Sequence, residues 1–239
     1  MIVWQGLKAQ ISAGSKFFTL GNVKVTMLDE LPIHLRLVLS YAPASAHDAW
    51  LTALSLDARL AGVVRAAREP VLAQLKLAWW RDRLAQDPAT RPQGEMLLGK
   101  LAFWREGGAS LAPLVGGWEA LLGETPLPAD AITAFADGRA ALIGDLAQMV
   151  GADRAGAEVR ARRWALADLA LHLGHDAERD AVRRALEQTM PAIGPCKRAL
   201  RPLLMLERLS VRACNRGATA SISSPIDFLV AMRLGLLGR

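Results

Sequence analysis

The amino-acid sequence predicts an all-α protein, and three observations carry that prediction. Hydrophobic residues make up 52% of the 239 positions, enough for a sizeable core. Ala and Leu dominate, while aromatic residues are only 5%. Ala and Leu lose little on entering a helix, whereas β-branched side chains lose rotamer freedom there. There is also no series of short alternating segments set between Asn-Gly or Asp-Gly turns, as sandwiches and barrels require.

The elements follow in chain order. Met27 opens the helical pattern. Ser45 and Asp48 stand in capping-box spacing ahead of a long periodic stretch, in which Trp50, Leu54, Leu60 and Val64 recur at helical intervals. Pro70 interrupts it, and a second run carries Leu72, Leu75, Trp79 and Leu84 before Asp87-Pro88 closes it. Apolar stretches follow from Met96 to Trp104 and from Leu111 to Leu122. Pro126 and Pro128 mark a loop, with Pro128 suited to the first position of a helix running to Val150. Gly151 ends that helix. Asp153 caps the next, which the pattern extends to Gln188 across Gly174, a residue that costs about 1 kcal/mol against Ala inside a helix. Pro191, Gly194 and Pro195 break the chain again. A helix from Lys197 to Arg216 and a small-polar loop lead to the last helix. Ser224, Pro225 and Asp227 start that helix as N-cap, N1 proline and N3 acid. The pattern gives seven to nine helices and no internal repeat. It shows no domain boundary after residue 27.

Composition bounds the function. The net charge is +6, and Arg outnumbers Lys 23 to 6, a balance that favours anionic partners such as diphosphates or acidic headgroups. No basic block is interleaved with aromatics, so nucleic acid is not an expected partner. Cys196 and Cys214 have no metal-site spacing, and two buried thiols in a reducing cytoplasm is the expectation. No run of uncharged apolar residues reaches membrane-spanning length. Residues 1–26 hold Lys8, Lys16 and Lys24 and no acid, and read as a disordered extension or a start codon assigned too far upstream.

The stretch YAPASAHDAWLTALSLDARLAGVVRAAREPVLAQLKLAWWRDRL, Tyr41 to Leu84, resembles the first block of squalene and phytoene synthases. Its most specific part is EPVLAQLKLAWWRDRL, Glu69 to Leu84. Weaker resemblance runs through Ala136 to Gly151, Ala161 to Ala181 and Pro195 to Leu209. The resemblance implies an isoprenoid-synthase-like helical bundle. It also implies prenyl diphosphate as substrate and Mg²⁺ held by an Asp-x-x-x-Asp motif on each of two facing helices. Acids at i and i+4 share a helix face, and Mg²⁺ bridges carboxylates to phosphates.

This chain departs from that pattern. The first motif falls on Ala61 and Arg65, with Asp57 one turn upstream. An arginine at a ligand position sets a positive charge where a cation belongs. The second motif falls on His172, Asp176 and Asp180. These are read either as a retained metal or diphosphate half-site or as a solvated face paired with Arg179, Arg183 and Arg184. His172, His175 and Asp176 could also hold a transition metal with a ligand from elsewhere. Arg65 is a candidate diphosphate ligand. Trp79 is expected inward with Leu72 and Leu75, as core or as the lining of a prenyl channel. The short segment between Ala181 and Pro191 suggests a truncated bundle. LDARLAGVVR looks like the branch of this family that has lost its aspartates and assists the assembly of respiratory complex I. Two functions are therefore expected alternatives. One is a degenerate member that binds a respiratory-complex protein or a prenyl lipid. The other is a divergent Mg²⁺-dependent prenyltransferase. A peripheral membrane contact through Arg160, Arg162, Arg163 and the last helix is a further expectation.

Overall fold

Proline and small-polar signals divide the chain into helices much as the sequence indicates. The structure is a computed structural model that describes residues 26–92, 94–191, 196–218, 220–222 and 224–238, with the side chains of 105–110 excepted. The expectation for residues 1–26 lies, apart from Thr26, outside the described residues. Among those described there are eleven α-helices and no strand.

The helices are α1 (Met27–Glu30), α2 (Ile33–Leu39), α3 (Ala44–Ala66), α4 (Pro70–Ala85), α5 (Met96–Lys100) and α6 (Gly108–Ala120). They continue with α7 (Ala129–Met149), α8 (Arg154–His172), α9 (Asp176–Gln188), α10 (Arg201–Asn215) and α11 (Pro225–Leu237). Several boundaries have the expected cause. Pro70 and Pro225 sit in the first turn, where no backbone donor is lost. Gly151 takes φ +64° after α7. The Asp153 carboxylate accepts the Ala155 and Gly156 amides at 3.2 and 2.9 Å. Ser224 caps α11 by accepting the Asp227 amide.

Several expectations are corrected. The described residues form eleven α-helices where the pattern gives seven to nine, and Pro128 is the N-cap of α7, not its first residue. Ser45 does not cap α3, because Pro43 is the N-cap and Ser45 lies inside the helix. The run from Asp153 to Gln188 is two helices, with a break over Leu173, Gly174 and His175. Arg179 holds the break by donating to the carbonyls of Leu173 and Gly174 at 2.8 and 3.2 Å. Trp79 is not inward. The buried stripe of α4 is Ala73, Leu77, Trp80 and Leu84, and Leu72, Leu75 and Trp79 are exposed. Both stripes have helical spacing, so periodicity alone does not choose between them. Neighbouring residues point about 100° apart, and it is Trp80 that the core takes. Arg83 lies over the outward Trp79 ring, 5.8 Å from its centroid.

Helices α6, α7, α8 and α10 pack in succession. α3 lies across α6 and α7, α4 on α6, α9 on α8 and α11 on α10. Buried side chains from Met27 to Leu234 form one continuous core. Trp50 is fully buried, and its indole N–H donates to the Ala199 carbonyl at 2.8 Å, tying α3 to the start of α10. No helix among the described residues is long and apolar enough to cross a membrane.

Candidate functional site

Helices α6 and α7 approach each other closely. A Cβ on Gly117 would meet the Ala134 carbonyl oxygen at 2.8 Å and the Phe135 Cα at 2.9 Å. One on Gly138 would overlap the Pro113 carbonyl and touch the Leu114 Cα at 3.0 Å. Glycine is required at both positions because backbone, not a movable side chain, fills the space. This contact sets Trp118 of α6 edge-on to Phe135 of α7, with centroids 4.8 Å apart.

Arg139, one turn after Phe135 on the same face of α7, is buried at 3% exposure and reaches between α3 and α8. Its Nε and Nη2 donate to Asp57 Oδ1 and Oδ2 at 3.0 and 2.8 Å, a two-pronged pair. Its Nη1 donates to Asp168 Oδ2 of α8 at 2.8 Å. The Trp118 indole also donates to Asp57, at 2.9 Å. The guanidinium carbon lies 5.2, 4.7 and 4.4 Å from the centroids of Trp118, Phe135 and Trp164, so aromatic faces surround the charge.

The site continues toward the surface along the same helix faces. Ala61 and Arg65 follow Asp57 at successive turns of α3, Ala61 buried and Arg65 exposed. His172 follows Asp168 on α8. Its Nδ1 is 2.7 Å from the Asp168 carbonyl oxygen and 3.8 Å from its carboxylate. His34 of α2 shares this electrostatic environment. Burial, the largest influence, pushes its ring below the ordinary value. Asp168 opposes that shift, and the charges of His172, Arg65 and Arg139 add to it. Burial is also the largest influence on Asp168 and disfavours its charge. Arg139, His172 and His34 outweigh it and hold the carboxyl below the usual carboxylate range. For Arg139 the two carboxylates outweigh burial in the same way, and its pKa is raised.

Of the residues singled out by sequence, Arg65 and His172 both bear electrostatically on His34, and His172 also on Asp168. Asp176 and Asp180 do not join them. The break at 173–175 moves both to α9, where they pair with Arg179 and Arg183, with side chains 88% and 58% exposed. The one-face arrangement of His172, Asp176 and Asp180 is thus corrected by the end of α8 at His172. Trp79 lies outside this site, on the open face of α4.

Among the described residues no group of three or more His, Cys, Asp and Glu side chains gathers as metal ligands. The carboxylates that do face each other, Asp57 and Asp168, are bridged by a guanidinium. That donor arrangement fits an arginine and not Mg²⁺, which needs several oxygen ligands free to converge on it.

Arg139 and Asp168 were missed as site residues. A signal existed for both. Arg139 interrupts the apolar stripe Ile132, Phe135, Ala136 and Ile143. Asp168 stands among Ala165, Leu166 and Leu169. A charge on an apolar helix face requires a buried partner, and two such positions of opposite sign on neighbouring segments suggest each other.

The chain matches no model of a known protein family, no curated protein and no solved structure.

Proposed function

We propose that this chain is a squalene/phytoene-synthase-like protein that acts by binding and not by prenyl transfer. The observation that carries this reading is the Asp57–Arg139–Asp168 clamp. Ionising an allylic diphosphate needs cations free to meet the departing charge. In this chain a resident guanidinium neutralises the two facing carboxylates, and it cannot leave or exchange. Loss of the acid pair at Ala61 and Arg65, and the outward setting of Asp176 and Asp180, support the same reading. The clamp is then structural, and it joins α3, α7 and α8 into the platform that presents a binding surface. The resemblance suggests a respiratory-complex protein or a prenyl lipid as the partner, in the manner of an assembly factor.

The test is incubation of the protein with farnesyl and geranylgeranyl diphosphate, with and without Mg²⁺, following release of diphosphate. The expected result is no Mg²⁺-dependent release above the protein-free control. Release that requires Mg²⁺ and is lost in the Asp176→Asn/Asp180→Asn double variant would replace this reading with that of a divergent prenyltransferase.

A further inference from the structure

We infer that the cleft between α10 and α11 is a binding site for the phosphate headgroup of an anionic phospholipid, and that the outer face of α11 rests on the bilayer beside it. This goes beyond the binding role proposed above and does not depend on the arginine clamp.

The cleft encloses about 910 Å³. It is lined by Arg198, Arg201, Arg208, Arg212, Arg216 and Arg233, with the buried Arg160 also in contact and no carboxylate among the lining residues. Two acids lie behind the wall, and each is shared. Asp227, fully buried, accepts from Arg212 at 3.3 Å and from Arg216 at 2.7 Å. Glu207 accepts from Arg160 at 2.8 Å and from Arg163 at 3.0 Å. Arg201 is oriented by donating to the Gly235 carbonyl at 3.0 Å. Among the described residues, the side chains of Arg198, Arg208 and Arg233 make no hydrogen bond or ion pair, and all three residues are exposed. The cleft therefore carries excess positive charge on side chains held in place, with further exposed guanidinium donors along it. Guanidinium groups match phosphate oxygens in geometry as well as charge.

Aliphatic side chains from both helices lie among these arginines. Val211, Val230, Leu234 and Leu237 line the cleft. Helix α11 turns its sole acid, Asp227, inward and exposes Ile226, Phe228, Leu229, Leu236 and Leu237 at 59, 45, 63, 59 and 60%. Arg233 is the charge left on that outer surface. Gly235 admits the Tyr41 ring against the inner side of α11, which fixes which face points outward. An apolar helix face bordered by cations, with its acid buried, is the arrangement that settles at a headgroup boundary. A nucleic acid would call for stacking aromatics along a basic track, and the cleft lining has none.

The test is sedimentation of the full chain with vesicles of pure phosphatidylcholine and of equimolar phosphatidylcholine and phosphatidylglycerol. The wild type is expected to bind the mixed vesicles, to release with rising salt, and not to bind phosphatidylcholine alone. Arg208→Ala/Arg233→Ala should bind roughly 30-fold more weakly, since each basic residue at such a surface contributes about 1 kcal/mol and 1.4 kcal/mol is about tenfold. Neither side chain is paired among the described residues, so the helical circular dichroism should be unchanged. Leu229→Ser/Leu236→Ser should lose vesicles yet still bind water-soluble dihexanoyl phosphatidylglycerol, which the arginine variant should not. Equal binding to both vesicle types would overturn the inference, as would arginine variants that bind like wild type. So would inorganic phosphate or duplex DNA that binds the cleft as tightly as the short-chain lipid.

Discussion

Replacing Arg139 by methionine tests the central site most directly. Methionine keeps most of the length and packing against Trp118, Phe135 and Trp164 and removes the charge. Two carboxylates are then stranded, Asp57 at 4% side-chain exposure and Asp168 at 16%. Breaking a buried pair by removing one partner costs roughly 3–5 kcal/mol. The second carboxylate and the lost ring contacts add to this, while the partial exposure of Asp168 lets water offset some of it. A loss of about 4 kcal/mol is expected at pH 7, a large share of a total stability of roughly 5–15 kcal/mol. At roughly 2–4 °C per kcal/mol for a chain of this size, the thermal midpoint should fall by roughly 8–16 °C. The deficit should shrink toward pH 5, because carboxylates left buried without a cation take up protons at higher pH than usual. The assay is urea unfolding followed by circular dichroism and tryptophan fluorescence at both pH values. A loss under about 1 kcal/mol at pH 7, or a loss equal at both pH values, would refute the reasoning.

Three further outcomes are expected. Trp80→Ala should cost roughly 3–5 kcal/mol and Trp79→Ala under about 1 kcal/mol, measured by the same unfolding curves; the reverse order would mean that α4 is rotated. Gly138→Ala should lose roughly 1–3 kcal/mol despite the better helix propensity of alanine, because the new methyl meets the backbone of Pro113 and Leu114; a thermal midpoint at or above wild type would contradict the close α6–α7 crossing. His34 has its pKa lowered by burial, so below about pH 6.5 the unfolded chain binds a proton that the folded one resists. Stability should therefore decline as pH falls through that value toward the depressed folded pKa. His34→Gln should flatten this slope in thermal melts between pH 7.5 and 5.5, and a slope unchanged by the substitution would contradict the lowered His34 pKa as its source.

Much of the helical layout was legible along the chain, and the site was legible only in part. Pro70, Gly151, Asp153 and Ser224 are local signals, and each acts within a few residues, so each boundary fell where it was read. The break at 173–175 carried a weak signal, Gly174, and a tertiary outcome. The chain turns there because α9 packs back on α8, where buried Glu178 accepts the Leu127 amide at 2.9 Å. Asp57 was visible as the acid one turn before Ala61 and two before Arg65. Its role was not, because its partner Arg139 lies 82 residues further on.

By itself the sequence determined the helical class, most helix ends, and the absence of an acid pair at Ala61 and Arg65. These depend on residue chemistry and on backbone geometry over a turn or two. Tertiary structure alone decided which face of α4 is buried, since that helix is apolar on both stripes and only its neighbours can choose. It also decided that Asp57 and Asp168 hold an arginine between them, and that Asp176 and Asp180 face solvent. Charges separated by dozens of residues become partners only when close helix packing, permitted by Gly117 and Gly138, removes the water between them.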